Sequence, residues 1–221
     1  MSNLIKIIAK QVIHIHYKTD LHTLIFFTCL LFGSANLMAE ENYDAAITVV
    51  ANLHSTLLEN MQNAKSLDYR GRYDALSPNI QASFDTPLIS KVILGRYWKG
   101  LEQQQRSEFI ELFNRLSIAT YASRFDGYSG ESFNTISVKQ LNKGRILVKT
   151  ELIAPDSDPV KFDYIMHLNS DRWYIISVIA NGVNDLSLKR AEYTSVIKQK
   201  GYKSLISNIE DKIKMYENGE N

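Results

Sequence analysis

Cysteine is nearly missing from this sequence: of 221 residues only one, Cys29, is a cysteine. It lies in an N-terminal stretch patterned like a secretory signal, so the chain that follows would hold none. That excludes disulfides, thiol catalysis and cysteine-ligated metals, and it is compatible with an oxidising compartment. An excess of one charge is missing too, since 25 Lys+Arg against 24 Asp+Glu give a net +1. Residues 1–39 take three lysines and one aspartate with them, which leaves a balance of −1. Nucleic acid demands a concentrated basic footprint, and that balance argues against it. Long apolar runs are also lacking. Leu24–Gly33 (LIFFTCLLFG) has ten residues, whereas a membrane-spanning helix needs about 20.

What is present at the N-terminus is a signal pattern. Lys6, Lys10 and Lys18 precede that apolar run, and Leu37-Met38-Ala39 stands before Glu40-Glu41. This order predicts cleavage after Ala39 and export. An uncleaved N-terminal anchor is the rival reading, because the basic region is long and Leu37 is not an ideal third residue before the cut. Thr28 before Cys29 argues against a lipoprotein. Without residues 1–39, 182 of the 221 residues remain, enough for one domain with a full core. We read residues 40–217 as that domain and 218–221 as a disordered tail.

Along the domain, Ala46, Val49, Val50, Leu53, Leu57 and Met61 recur at three- and four-residue steps, predicting a helix over Tyr43–Ala64. A short helix is expected over Tyr69–Phe84, with Pro78 at a turn start. Thr86-Pro87 reads as an N-cap followed by proline at the first helical position, opening Leu88–Gly95. The longest helix is predicted from Glu102 to Arg124, its apolar stripe made of Phe109, Leu112, Phe113, Leu116, Ala119 and Thr120. Asp126-Gly127 would end it by supplying a residue of positive φ.

Four strands follow. Ser132–Leu141 and Gly144–Ile153 are joined by Asn142-Lys143-Gly144, a three-residue hairpin loop. This loop sets Val138 opposite Val148 and gathers Ile136, Val138, Ile146, Val148 and Leu152 on one face. Val160–Leu168 and Trp173–Asn181 pair so that Leu168 meets Trp173. Phe162, Tyr164, Met166, Leu168, Trp173 and Ile175 then lie inward, with Asp163 and His167 outward. Tyr174, Ile176 and Val178 make the other face of the last strand apolar too. The final helices, Leu186–Lys200 and Tyr202–Tyr216, broken at Gly201, are the expected cover for that side. Helices, an antiparallel meander and helices again indicate an α+β domain.

Chemistry is thinly represented. After residue 39 the histidines are His54 and His167, with no metal-binding spacing nearby. Asp163 and His167, four apart on one strand face, could form a base and its orienting partner, or simply be two solvated residues. No nucleophile elbow, P-loop or dinucleotide fingerprint occurs. Gly127-Tyr128-Ser129-Gly130 lacks the following helix that a phosphate cradle uses. The surplus is apolar: Phe109, Phe113, Phe125, Phe162, Tyr164, Met166 and Trp173 either close-pack a core or line a cavity between long helix and sheet, and periodicity fits both.

The order and spacing of several short stretches carry a resemblance over roughly Tyr43 to Ile209. These are Gly71-Arg72-Tyr73 with Leu76 and Pro78; Phe84-Asp85 with Pro87; Leu94-Gly95 with Trp98; Phe109 with Phe113; Arg115-Leu116-Ser117 running into Ala119–Phe133 (ATYASRFDGYSGESF); Trp173 with Asn181-Gly182-Val183; and Arg190 and Tyr193 to Ile197. The chain resembles the MlaC family of periplasmic lipid-binding proteins, once called toluene-tolerance proteins, and within it the HpnM branch found with hopanoid biosynthesis. It departs from the family at the start of the long helix, where Glu102 stands in place of the usual Thr, Ser or Asp cap.

The resemblance implies an MlaC-like, NTF2-like fold: helices around a curved four-stranded antiparallel sheet, with an internal apolar cavity. It implies a periplasmic, monomeric shuttle, with neither catalytic group nor cofactor. The shuttle would carry phospholipid or a hopanoid-type lipid between an outer-membrane lipoprotein complex and an inner-membrane ABC transporter complex. On this reading Phe109, Phe113, Leu116, Tyr121, Phe125, Val138, Val148, Phe162, Tyr164, Met166, Trp173 and Ile175 line the acyl cavity. Arg72, Arg96 and Arg124 are head-group or docking contacts. An enzyme of the same fold acting on an apolar lipid is the alternative, and it would need Asp163 or His167 on the cavity side.

Overall fold

The computed structural model describes residues 35–220, with side chains from Tyr43 onward. The apolar core of the expected signal lies outside the described residues. Helix α1 (Ala35–Gln62) is followed by α2 (Tyr69–Ser83), α3 (Thr86–Leu94), a 3-10 segment (Gly95–Gly100) and the long α4 (Gln103–Arg124). Strands β1 (Ser132–Gln140), β2 (Arg145–Ile153), β3 (Val160–Asn169), β4 (Arg172–Ala180) and β5 (Val183–Asn184) come next, then α5 (Asp185–Lys200) and α6 (Tyr202–Glu217). The domain is α+β, as its sequence predicts. Cleavage after Ala39 would remove the first five residues of α1.

Local chemistry sets the helix ends, in places one residue away from expectation. Asp85, not Thr86, caps α3: its Oδ1 accepts from the Leu88 amide at 2.9 Å. At α4 the Gln105 side chain accepts from the Glu102 amide at 2.9 Å, which helps anchor the helix start despite its poor cap. Pro78 sits inside α2 rather than at a turn. Leu76 and Ile80 on either side of it are 0% and 1% exposed, so tertiary burial carries the helix through a residue that would otherwise break it.

The strands form one antiparallel sheet in the order β1-β2-β3-β4-β5. The two expected registers are found, Val138 opposite Val148 and Leu168 opposite Trp173. The two-residue β5 adds to the four predicted strands; it is too short to show any periodicity. Two bulges alter the side-chain arithmetic. Thr135 pairs with Thr150 and Ser137 with Lys149, so Ile136 is an extra residue. It is 57% exposed and does not join the inner face. Ile165 pairs with Ser177 and Met166 with Ile175, so Ile176 is extra in β4. A bulge shifts the alternation by one, which brings Val178 and Ala180 to the inner face, opposite Tyr164 and Phe162.

The core has two parts. Under the inner sheet face, Val148, Tyr164, Met166 and Ile175 pack with Val50, Leu53 and Leu57 of α1, Leu76 and Ile80 of α2, and Ile118, Ala122 and Phe125 of α4. A second cluster joins Ile89 and Ile93 of α3, Phe109, Leu112, Leu116 and Ala119 of α4, Tyr193 of α5, and Leu205, Ile209 and Ile213 of α6. The final helices therefore do not form a layer over the outer sheet face: α6 packs on α4, and α5 lies along α3 and the β4 edge. Helix α4 is shared by both clusters, which is why its apolar residues exceed one stripe.

One turn differs from expectation. Beyond α4 the positive φ falls at Gly130 (103°), not at Gly127. An added Cβ at Gly130 would lie 3.1 Å from Cγ of Pro155. At the other end, Asn218–Glu220 make a helix stop. The amides of Gly219 and Glu220 donate to the carbonyls of Tyr216 and Met215 at 3.2 and 2.9 Å, a Schellman pattern with Gly219 at φ 72°.

Candidate functional site

A third face of α4 starts at Phe113 of the second cluster and runs past Tyr121, which packs against the first. Phe113, Ser117, Thr120, Tyr121 and Arg124 recur at helical spacing and open onto a cavity of about 270 Å³. The opposite walls are Phe84, Ile89 and Ile93 from the α3 region, Phe162, Ile176, Val178 and Ala180 from the sheet, and Leu186 from α5. Exposure grades along α4 from buried Phe113, through half-buried Ser117, Thr120 and Tyr121, to exposed Arg124. Phe113 marks the deep end, and Arg124 marks the mouth.

Aromatic contacts fix both ends. At the deep end the Tyr193 ring meets Phe109 and Phe113 edge-on, with centroids 6.3 and 6.5 Å apart. Near the mouth Tyr121 stacks on Phe125 at 5.7 Å and tilts against Phe84 at 6.0 Å. Burial pushes the Tyr121 hydroxyl pKa up, with the Asp185 carboxylate adding to the rise and Arg124 opposing it. The rim is charged, with Asp185, Lys189 and Glu192 from α5 and Lys212 from α6. Lys189 donates to Asp185 Oδ1 at 2.6 Å, whereas Arg124 has no hydrogen-bond or ion-pair partner among the described residues.

Of the residues expected to line a cavity, the structure brings Phe113, Tyr121, Phe125 and Phe162 to this one, with Arg124 at its mouth. Phe109 and Leu116 lie in the second cluster. Val148, Tyr164, Met166, Trp173 and Ile175 lie in the packed layer under the sheet, none more than 5% exposed. Val138 is half-buried on the edge strand. Arg72 donates to the carbonyls of Ala122 and Leu67, each at 3.0 Å, and so ties α2 to α4. Arg96 is exposed, its guanidinium 5.1 Å from the Tyr97 ring centroid. The walls that sequence reasoning missed are α3 and the end of β4. The apolarity of both β4 faces was their visible signal.

Neither member of the suspected Asp163–His167 pair lines the cavity. His167 instead pairs with Asp85, its Nε2 2.8 Å from Oδ2. The same carboxylate caps α3, and the Asp85 amide donates to the Ile175 carbonyl at 3.1 Å, so this pair pins α3 to the sheet edge. His54 is buried, 3.0 Å from the Tyr164 hydroxyl. Among the described residues no group of three or more His, Cys, Asp or Glu side chains is placed to hold a metal ion, and no helix is long and apolar enough to cross a membrane.

Comparison with known proteins bears on this arrangement. The family described as MlaC protein matches residues 51–211. The chain belongs to the MlaC family. Among relatives of MlaC type is the "Intermembrane phospholipid transport system binding protein MlaC" of Haemophilus influenzae, 22% identical over 122 residues. That match takes in 53% of this chain and 57% of the Haemophilus protein, so the chain spans little more than half of that relative. A phospholipid-binding protein from Ralstonia solanacearum, solved in complex with a phospholipid, has a similar fold. It gives a TM-score of 0.64 at 15% identity, covering 82% of this chain and 98% of the other.

Proposed function

We propose that this MlaC-family chain is a periplasmic lipid carrier. It would hold acyl carbons in the cavity between α3, α4, α5 and the inner sheet face, with the head group at the Arg124 rim. The observation that carries this reading is the cavity itself, apolar at depth and charged at its mouth. An amphipathic lipid has the same polarity along its length. The need for a carrier is physical: at about 0.8 kcal/mol per exposed methylene, two sixteen-carbon chains cost on the order of 20 kcal/mol to cross water bare. A pocket walled by Phe113, Phe162 and Ile93 removes most of that barrier without any catalytic group.

The Haemophilus protein is named as part of an intermembrane phospholipid transport system, and the Ralstonia protein holds a phospholipid. These names support phospholipid as the cargo class here. The donor and acceptor would be an outer-membrane lipoprotein complex and an inner-membrane ABC transporter complex. A hopanoid-type cargo is the finer expectation of the HpnM likeness. Organic extraction of the folded protein after export to a Gram-negative periplasm, followed by mass spectrometry, tests the reading. A stoichiometric lipid is expected, and its mass separates phospholipid from hopanoid. An extract free of any lipid would overturn the carrier.

A further inference from the structure

We propose that the corner built on the 3-10 segment Gly95–Gly100 docks on an anionic bilayer surface, at the end of α4 away from the cavity mouth. Its residues take no part in lining the cavity, so this docking surface goes beyond the carrier reading.

Charge is the first reason. From Thr86 to Leu101 the sequence holds Lys91, Arg96 and Lys99 and neither Asp nor Glu. The fold adds two more cations. Arg106 of α4 reaches back to the segment, its Nε and Nη2 donating to the carbonyls of Trp98 and Lys99 at 3.2 and 3.3 Å. Arg190 of α5 lies against Gly95, with Nη2 3.2 Å from where a Cβ would stand. Its neighbours Lys189 and Glu192 turn instead to the cavity rim. None of these five cations has an ion-pair partner among the described residues. On a chain of net charge +1 they make a local excess, not a general one.

The second reason is the pair of rings between them. Tyr97 and Trp98 are half-buried. The Arg96 guanidinium lies 5.1 Å from the Tyr97 ring centroid and donates to its hydroxyl at 3.2 Å. That of Arg106 lies 5.6 Å from the Trp98 ring. Tyr and Trp suit the level of lipid head groups, where one end of the side chain meets apolar surroundings and the other is wet. An acidic protein face is the competing match. Lysine is depleted from protein–protein interfaces, whereas an anionic bilayer matches Lys91 and Lys99 without fixing either side chain.

Position is the third. Arg106 stands near the start of α4, and Arg124 at the cavity mouth is about 27 Å further along the helix. Docking at this corner therefore leaves the mouth uncovered.

The exported protein is sedimented with vesicles of phosphatidylcholine alone, and of equal parts phosphatidylcholine and phosphatidylglycerol, at low and high salt. Binding should be at least about tenfold tighter to the anionic vesicles and should be lost at high salt. A cation at an anionic surface contributes about fivefold to affinity, so Arg96→Gln with Lys99→Gln should weaken binding on the order of twentyfold. Lys139→Gln with Lys143→Gln makes the same charge change at exposed positions of the β1–β2 hairpin and should leave binding unaltered. The chain has two tryptophans. In Trp173→Phe, emission comes from Trp98 alone and should move to shorter wavelength on the anionic vesicles. Equal binding to both vesicle types, or equal weakening in the two double variants, would overturn the proposal. So would an unshifted Trp98 emission in a folded Trp173→Phe protein. Absence of binding to either vesicle would overturn it too and leave an acidic protein face as the match. Lipid extraction, and with it the carrier reading, is decided separately from all of these outcomes.

Discussion

His54 Nε2 and the phenolic oxygen of Tyr164 lie 3.0 Å apart, in the core that joins α1 to β3. The imidazole stacks on Phe133 at 3.9 Å and is only 5% exposed. Desolvation lowers its pKa from 6.5 to about 4. His54 is therefore neutral in the folded chain through most of the mildly acidic range, where an unfolded chain would protonate it.

The sign follows from linkage. Between pH 6.5 and about 4 the unfolded state binds the extra proton, so stability is full above pH 6.5 and falls as the pH drops towards 4. A shift of that size corresponds to about 3 kcal/mol. Urea titrations at pH 7, 5.5 and 4 should show the loss. His54→Gln, which can still hydrogen-bond to Tyr164, should flatten the pH dependence by a similar amount. An unchanged slope in that variant would mean His54 is not the group responsible.

Asp85 caps α3 and pairs with His167 through its two oxygens. Asp85→Ala should cost about 1–2 kcal/mol, mostly from the lost cap. His167→Gln should cost less, and the double variant should show a coupling of about 0.5–1 kcal/mol. Chemical denaturation of the four proteins measures it; strict additivity would show that the pair does not hold α3 to the sheet.

Ser117 lies mid-cavity, its hydroxyl donating back to the Phe113 carbonyl at 2.9 Å. Ser117→Phe should fill the space and remove most co-purifying lipid while shifting stability by only about 1 kcal/mol. Phe125→Ala, by contrast, empties a site that is 4% exposed and should cost about 3 kcal/mol or more. Thermal melts and lipid extraction on both variants separate container from core. Undiminished lipid in Ser117→Phe would place the ligand elsewhere.

Pro78 interrupts α2 without ending it. Pro78→Ala restores a backbone donor and relieves the clash with the preceding turn. Against this stands the proline's restraint on the unfolded chain, about 0.4–1 kcal/mol, so the net gain expected is about 1–2 kcal/mol, read as a higher melting temperature. A lower one would show that the ring itself is packed usefully between α1 and α2.

The fold was largely legible because its signals are local. Hairpin loop lengths put Val138 against Val148 and Leu168 against Trp173, and three- and four-residue spacing marks the helices. The cavity was less legible for two reasons. The aromatic residues of the inner sheet face were assigned by alternation alone, which shows that they point inward but not whether helices press against them; Tyr164 and Met166 turn out to be pressed. The bulges at Ile136 and Ile176 carry no sequence signature, because they depend on how neighbouring strands pair. Missing them put Val178 on the wrong face. On α4 the single expected stripe, which ran through Phe113 and Thr120, is divided among two clusters and the cavity, because neighbours pack on several sides of the helix and periodicity does not show which.

The extra residue at Ile176 divides β4 into two reading frames. Before it, odd-numbered positions such as Trp173 and Ile175 serve the packed interior; after it, even-numbered Val178 and Ala180 face the vessel. On the carrier reading, fold maintenance and ligand fit would thus fall largely to different residues of one strand. Lineages could change what the protein carries by drifting at Val178 and Ala180 while Trp173 and Ile175 stay fixed, so cargo could diversify without a matching loss of foldability.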